Sequence, residues 1–310
     1  MDELAIPNLA MIKNGDDPSG REIEFPAEFS KRITEKLGVS FGSSYLRCRA
    51  PAGLSAGDFQ NLETAVKYQF LTDAPSELVM SAGVSVLWGN IGNPSIDADK
   101  FTVVTPTLWF AKGLNDLPDA LAWARPFGIS GQIGYEFATW RRTLATSVDP
   151  SSGDVSLDVT RHPQFLSYGA TLQYSLSYLE SKVANVGLPD MIRRLVPIIE
   201  TQFSTPVGNN FQTGLKTTGT INPGVFWVGD SFQIGAEAII PINRASGSSV
   251  GWIIGVDFYL HEIFSDSPLG RPIFGESTVA DTRYSHGSEH ARHSHEEEQA
   301  SHSHGRHGRH

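Results

Sequence analysis

The side chains best equipped for chemistry cluster at the C-terminus: His286, His290, His293, His295, His302, His304, His307 and His310. Two His-Ser-His pairs, 293–295 and 302–304, are interleaved with Glu289 and Glu296–Glu298. Neutral imidazoles at this density chelate Zn²⁺, Ni²⁺ or Cu²⁺, and adjacent carboxylates complete a loose shell. Composition changes abruptly at 276, so 276–310 reads as a disordered His-rich tail, a metal-binding segment or else a solvated low-complexity extension. No motif elsewhere calls for a cofactor.

A second set of reactive side chains is spread over residues 1–275. Glu63, Lys67, Glu136, Gln173, Glu200, Gln233, Glu237 and Asp257 each occupy the polar face of an alternating segment, with His261 at the end of the last. A carboxylate turned toward hydrocarbon costs about 3 kcal/mol, so these groups are expected to face water or protein. Lining a passage, they would favour cations over anions. The alternative is that they pair with Lys67 or merely solvate the wall. Catalysis is not expected: His162 and His261 lie far apart in the chain, and P-loop and GxGxxG fingerprints are missing.

The elements that must position these groups follow from period-two alternation. Leu78, Met80, Ala82, Val84, Val86 and Trp88 oppose Ser81, Gly83 and Ser85. Between 165 and 178, Leu166, Tyr168, Ala170, Leu172, Tyr174, Leu176 and Tyr178 oppose Ser167, Gly169, Thr171, Gln173, Ser175 and Ser177. The same alternation marks 127–137, 232–242 and 252–261, with Ile239 breaking one polar face. Weaker strands fall at 20–31, 37–48, 62–72, 101–112, 196–205 and 219–228. Such runs exceed the strands of about 5–6 residues usual in soluble sheets, and suit tilted membrane strands. The polar faces hold Gly, Ser, Gln and Thr, small groups suited to a confined aqueous interior. A soluble sandwich or other all-β binding protein shares the alternation but usually exposes Lys and Glu.

Composition agrees. The chain has 310 residues, 40% hydrophobic and 19% charged, and its mean hydropathy of -0.19 leaves no run of about 18 apolar residues for a spanning helix. Thirty glycines and eighteen prolines argue against long helices. The net charge of -10 offers no basic face for nucleic acid, and Cys48 has no disulfide partner in the chain. Met-Asp-Glu-Leu lacks the basic and apolar regions of a signal peptide, so an exported chain would be a mature form behind an added Met1, or would lack its start.

Eleven segments leave the parity wrong for a single-chain bacterial barrel, and a twelfth strand near Leu4–Lys13 repairs it. Loops 49–61, 90–100, 138–164, 206–218 and 243–249 then share one rim. The tight turns at 33–36, 73–76 and 229–230 share the other. Two longer connections on the tight-turn rim, 113–123 and 179–195, each contain Leu-Pro-Asp, read as a helix start with Pro at the first position. Trp88, Trp140 and Trp252 fall at one set of strand ends, and Trp109, Trp123, Tyr178, Trp227, Phe258 and Tyr259 at the other, as two aromatic girdles.

Several segments carry a resemblance: FQNLETAVKYQFLT (59–72), PTLWFAKGLNDLPDALAWARPF (106–127), GTINPGVFWVGDSFQIGAEAIIPINRASG (219–247) and GRPIFG (270–275). They resemble a family of uncharacterised bacterial outer-membrane β-barrel proteins described as transporters, distantly similar to outer-membrane proteins of phenol and aromatic meta-cleavage pathways. The resemblance covers about residues 2–275, and DELAIPN (2–8) resembles the mature start of such proteins. It implies a barrel in the outer membrane passing small solutes, hydrophobic or aromatic ones among them; the strand parity puts termini and tail in the periplasm, and a monomer is expected. It carries no catalytic pattern. The rival from a different class is a metal-scavenging outer-membrane protein acting through the tail.

Overall fold

The computed structural model describes residues 2–5, 9–12, 21–49, 55–96, 98–148, 155–209 and 215–275. The His-rich tail lies outside them. Near the N-terminus run β1 (Glu3–Ala5), β2 (Leu9–Ile12), β3 (Arg21–Arg32), β4 (Leu37–Arg49), β5 (Ser55–Phe59) and β6 (Leu62–Asp73). The middle holds β7 (Leu78–Trp88), β8 (Val103–Gly113), β9 (Phe127–Ala138), β10 (Arg142–Val148), β11 (Val155–Arg161) and β12 (Gln164–Tyr174). The chain closes with β13 (Leu195–Gly208), β14 (Thr218–Val228), β15 (Phe232–Pro241) and β16 (Gly251–Tyr259).

Fourteen of these form one antiparallel sheet. β1 and β2 occupy the same position between β3 and β16. β5 and β6 both pair with β4, around an irregularity at Gln60–Asn61. The sheet is therefore a closed up-and-down barrel of twelve strands. The first strand, inferred above from parity, is the one that closes it. The exception to the meander is β10–β11, a separate hairpin rising from the β9–β12 connection.

The two walls differ as the alternation requires. At mid-strand, Leu108, Ile133, Ile199, Ile234 and Ile254 are 44–51% exposed on the outer wall. The inner wall includes Glu136 at 3% and Gln233 at 1%. A contiguous apolar belt of this kind on the outside, over a polar inside, is the arrangement of a transmembrane barrel. Among the described residues no helix is long and apolar enough to cross a membrane.

Three expectations need correction. The strand read to 178 stops at Tyr174, because Ser175 Oγ accepts the Tyr178 backbone N–H and starts a helical turn, Leu176–Tyr178. Pro118 and Pro189 sit one position before their short helices, Asp119–Ala124 and Asp190–Arg193, so Asp takes the first helical position. The loop read at 49–61 contains β5, and that at 138–164 contains β10 and β11.

Closure is pinned at the rim that carries both described ends. The fully buried Asp2 carboxylate receives Lys31 Nζ at 2.9 Å, the Arg32 backbone N–H at 2.7 Å and the Arg32 guanidinium at 3.0 Å. Lys31 and Arg32 also donate to the carbonyls of Leu269, Gly270 and Arg271, and Leu260 N–H donates to Asp2 O. First strand, β3 and C-terminal segment thus meet on one carboxylate. Burial opposes its charge, but the Arg32 N–H and the two cations outweigh that and hold its pKa below the usual 3.8.

Asp2→Ala is expected to destabilise the barrel by about 3 kcal/mol, because it strands the buried Lys31; denaturant unfolding from lipid vesicles measures it. Since folding lowers the Asp2 pKa, its contribution is present above pH 3.8 and fades below it, so the variant's deficit should shrink in acid. In a separate test of the two walls, Leu108→Arg should cost about 2–4 kcal/mol at mid-membrane, and inward Thr107→Arg clearly less.

Candidate functional site

The interior is the candidate site, and the register shows how its charges are arranged. One rung runs Gln233, Asp257, Ala5, Glu28, Gly42, Glu63 across neighbouring strands. A second runs Gln173, Ile198, Gly224, Glu237, Ile253, Ala10, Glu24. In the first rung the small residues Ala5 and Gly42 separate the carboxylates by two strands, about 10 Å, which limits their mutual repulsion. A cation sharing this face is Lys67, whose Nζ stands 4.3 Å over the Trp109 ring.

All eight residues expected on the inner face lie on it by alternation. Glu136, Gln173, Gln233, Glu237 and Asp257 are buried, and Glu63, Lys67 and Glu200 are half-buried. Gln233 links two of its neighbours: its Nε2 donates to Asp257 Oδ2 at 2.7 Å, and its Oε1 accepts from Tyr259 OH at 2.9 Å. Thr171 Oγ1 donates to Glu200 Oε1 at 3.3 Å. The wall charges are thus held by hydroxyls and amides rather than by cations alone.

Sequence reasoning missed Glu24 and Glu28, which share the alternation of the half-legible β3, and it misplaced two aromatics. Trp109 turns inward, donating Nε1–H to Gln132 Oε1 at 3.0 Å, and Tyr259 is buried on the Gln233 side chain. Both carry a polar atom that reaches an inward glutamine, which satisfies them better than an interfacial position would. Ile239 proves consistent with the wall: it packs on Ala10 and Ile253. A second inward apolar cluster joins Val196, Ile198 and Phe226. The interior is therefore polar with two apolar patches.

The mouth opposite the termini is narrowed by the β7–β8 connection. Asn61, 3% exposed, accepts the Ile91 and Gly92 backbone N–H groups on Oδ1 and donates Nδ2 to Asp99 O. Asn93 donates to the Asp58 carboxylate and to Phe59 O. Asp58 pairs with Leu46, which pairs with Glu24, so this contact lies on the inner wall. Ile96 and Ala98 are buried there, and the turn Pro94–Ile96 packs on β4 and β5. A Cβ at Gly92 would stand 2.7 Å from Asn61 N, so only glycine permits the approach. Burial raises the Asp99 pKa to about 6.

At the same mouth His162 lies on Phe101, ring centroids 3.8 Å apart, with Nε2 2.7 Å from Thr143 Oγ1; burial lowers its pKa. His261 lies at the other rim, beside Glu262. Neither arrangement presents the hydroxyl–imidazole–carboxylate order of acyl transfer. Among the described residues no group of three or more metal-ligating side chains converges, and the histidines from His286 to His310 fall outside them.

No family model matches the sequence, and no curated protein is found similar to it. Among solved structures, an outer-membrane channel from Pseudomonas putida F1 superposes with a TM-score of 0.50 at 9% identity, over 83% of this chain and 93% of that one. The NanC porin covers 81% of this chain and 98% of its own, at 11% identity and a TM-score of 0.46, and adds no argument. The likeness is one of architecture: this chain has the fold of an outer-membrane barrel.

The Asp99 shift gives the tucked loop a pH dependence. The tucked state holds a proton that a released loop would give up, so tucking should weaken as pH rises from about 4 to about 6. Protection of the 89–102 amides, taken relative to their intrinsic base-catalysed exchange, should be lower at pH 7 than at pH 5, and Asp99→Asn should remove that loss of protection.

Proposed function

We propose that the protein is an outer-membrane channel for small cationic or uncharged solutes. The observation that carries this reading is the paired character of the wall, apolar outside and carboxylate-bearing inside. Twelve strands enclose a lumen between the filled core of an eight-stranded barrel and the open channel of a porin, so a narrow pathway is expected. Carboxylates along it would repel anions. The two inward apolar patches could also seat the aromatic or aliphatic part of a solute. A closed sheet leaves no edge to pair, so one chain suffices for the pore. In the orientation usual for an even-stranded single-chain barrel, the termini, the Asp2 pin and the His-rich tail would lie in the periplasm and the Asn61-held loop outside.

The tail is a separable proposal: with its two His-Ser-His pairs it would capture Zn²⁺, Ni²⁺ or Cu²⁺ beside the inner mouth. Removing 276–310 should abolish that capture and leave solute passage unchanged.

The purified protein in liposomes should admit small neutral and cationic solutes faster than anions of equal size, measured by swelling. Replacing Glu63 and Glu136 together by Gln should narrow that difference. Passage of nothing at all would end the channel reading, and anion preference would end the role given to the carboxylates.

A further inference from the structure

The wall of β9, β12, β13 and β14 contains a recess around Gly169. Gln132, Gly169 and Gln202 lie on one rung, between Trp109 and Thr220. Gly169 offers no side chain, so the two glutamines flank a gap. The next rung carries Thr171, Glu200 and Asn222. These six residues line a single pocket.

The pocket is rich in acceptors, and one of them has nothing to accept. Gln132 spends its carbonyl on the Trp109 indole N–H, and Thr171 donates its hydroxyl to Glu200. Asn222 is 5% exposed, and its Oδ1 has no hydrogen bond. Native proteins rarely leave a buried amide oxygen in that state, and a carboxylate on the adjacent strand can accept several hydrogen bonds at once. A visitor that suits both must bring N–H or O–H donors and is favoured by positive charge. A hard divalent cation would want six or more oxygen ligands, more than the pair supplies. An anion would meet Glu200.

We propose that this recess is a binding subsite for small organic cations bearing N–H donors, an ammonium or a guanidinium, held between Asn222 Oδ1 and the Glu200 carboxylate. Access from solution rests on the channel reading; recognition does not. The subsite would make the pore choose among cations by their donors rather than by charge and size alone.

Guanidinium, ethylammonium and tetraethylammonium (which has no N–H) are the probes, titrated against the full chain in detergent by NMR or calorimetry. Block of single-channel current is recorded in parallel. Guanidinium and ethylammonium should bind, tetraethylammonium should not, and Asn222→Leu or Glu200→Gln should weaken binding about tenfold, the loss of one charge-assisted contact. Asn222→Asp keeps the shape, adds charge and should tighten binding, which covers the case in which the leucine variant does not fold. Equal binding of tetraethylammonium, or affinities unchanged across the folded variants, would overturn the subsite. Binding that depends on Asn222 without any current would sink the channel and leave the subsite standing. Current without such binding would do the reverse.

Discussion

Hydrocarbon offers backbone amides no partner, so a sheet that crosses it must close on itself. Everything else in this chain follows from meeting that condition. The closing strand is the weakest one: two fragments, Glu3–Ala5 and Leu9–Ile12, stand between β3 and β16. So short a strand gains little from pairing alone. It is anchored by the Asp2 carboxylate, which also draws the C-terminal segment under the rim through Lys31 and Arg32. The charge cluster at that rim and the apolar belt around the barrel are two parts of one solution.

Closure also decides where charge can go. Each strand has one face toward lipid, so an ionisable group of the crossing is accommodated on the other, and the interior collects the carboxylates. Their spacing shows how the wall tolerates them. Ala5 and Gly42 separate Asp257, Glu28 and Glu63, while Thr171 and Gln233 supply hydrogen bonds to Glu200 and Asp257. The same small residues leave space in the lumen, and at Gly169 that space becomes a recess. A polar loop held by Asn61 then occupies part of one mouth. Lumen and constriction are thus built from glycine and amide chemistry as much as from charge.

Much of this was legible because a period of two is a local signal. The faces of 78–88, 127–138 and 232–241 can be read residue by residue, because each strand keeps its alternation from end to end. Parity found the first strand even though its own residues barely announce it. The failures share a cause: each depends on a partner remote in sequence. Ser175 ends a strand whose alternation continues through Tyr178, since one serine cap outweighs a pattern with no neighbour left to pair. Trp109 and Tyr259 read as girdle aromatics until Gln132 and Gln233 appear beside them. Asn61 and Asn222 give no sequence signal at all, as an asparagine in a strand is ordinary until its surroundings are known.

The central claim is that adjacent residues of one strand see lipid and water in turn, with the carboxylates on the water side. Single cysteines placed from 232 to 241, after replacing Cys48, test it most directly in reconstituted protein. Positions 233, 235, 237 and 239 should be reached only from the lumen by a small water-soluble thiol reagent, least at the packed Ile239. Probes attached at 234, 236, 238 and 240 should be quenched by a lipid-borne quencher. Quenching without alternation, or alternation with Glu237 on the lipid side, would contradict the account.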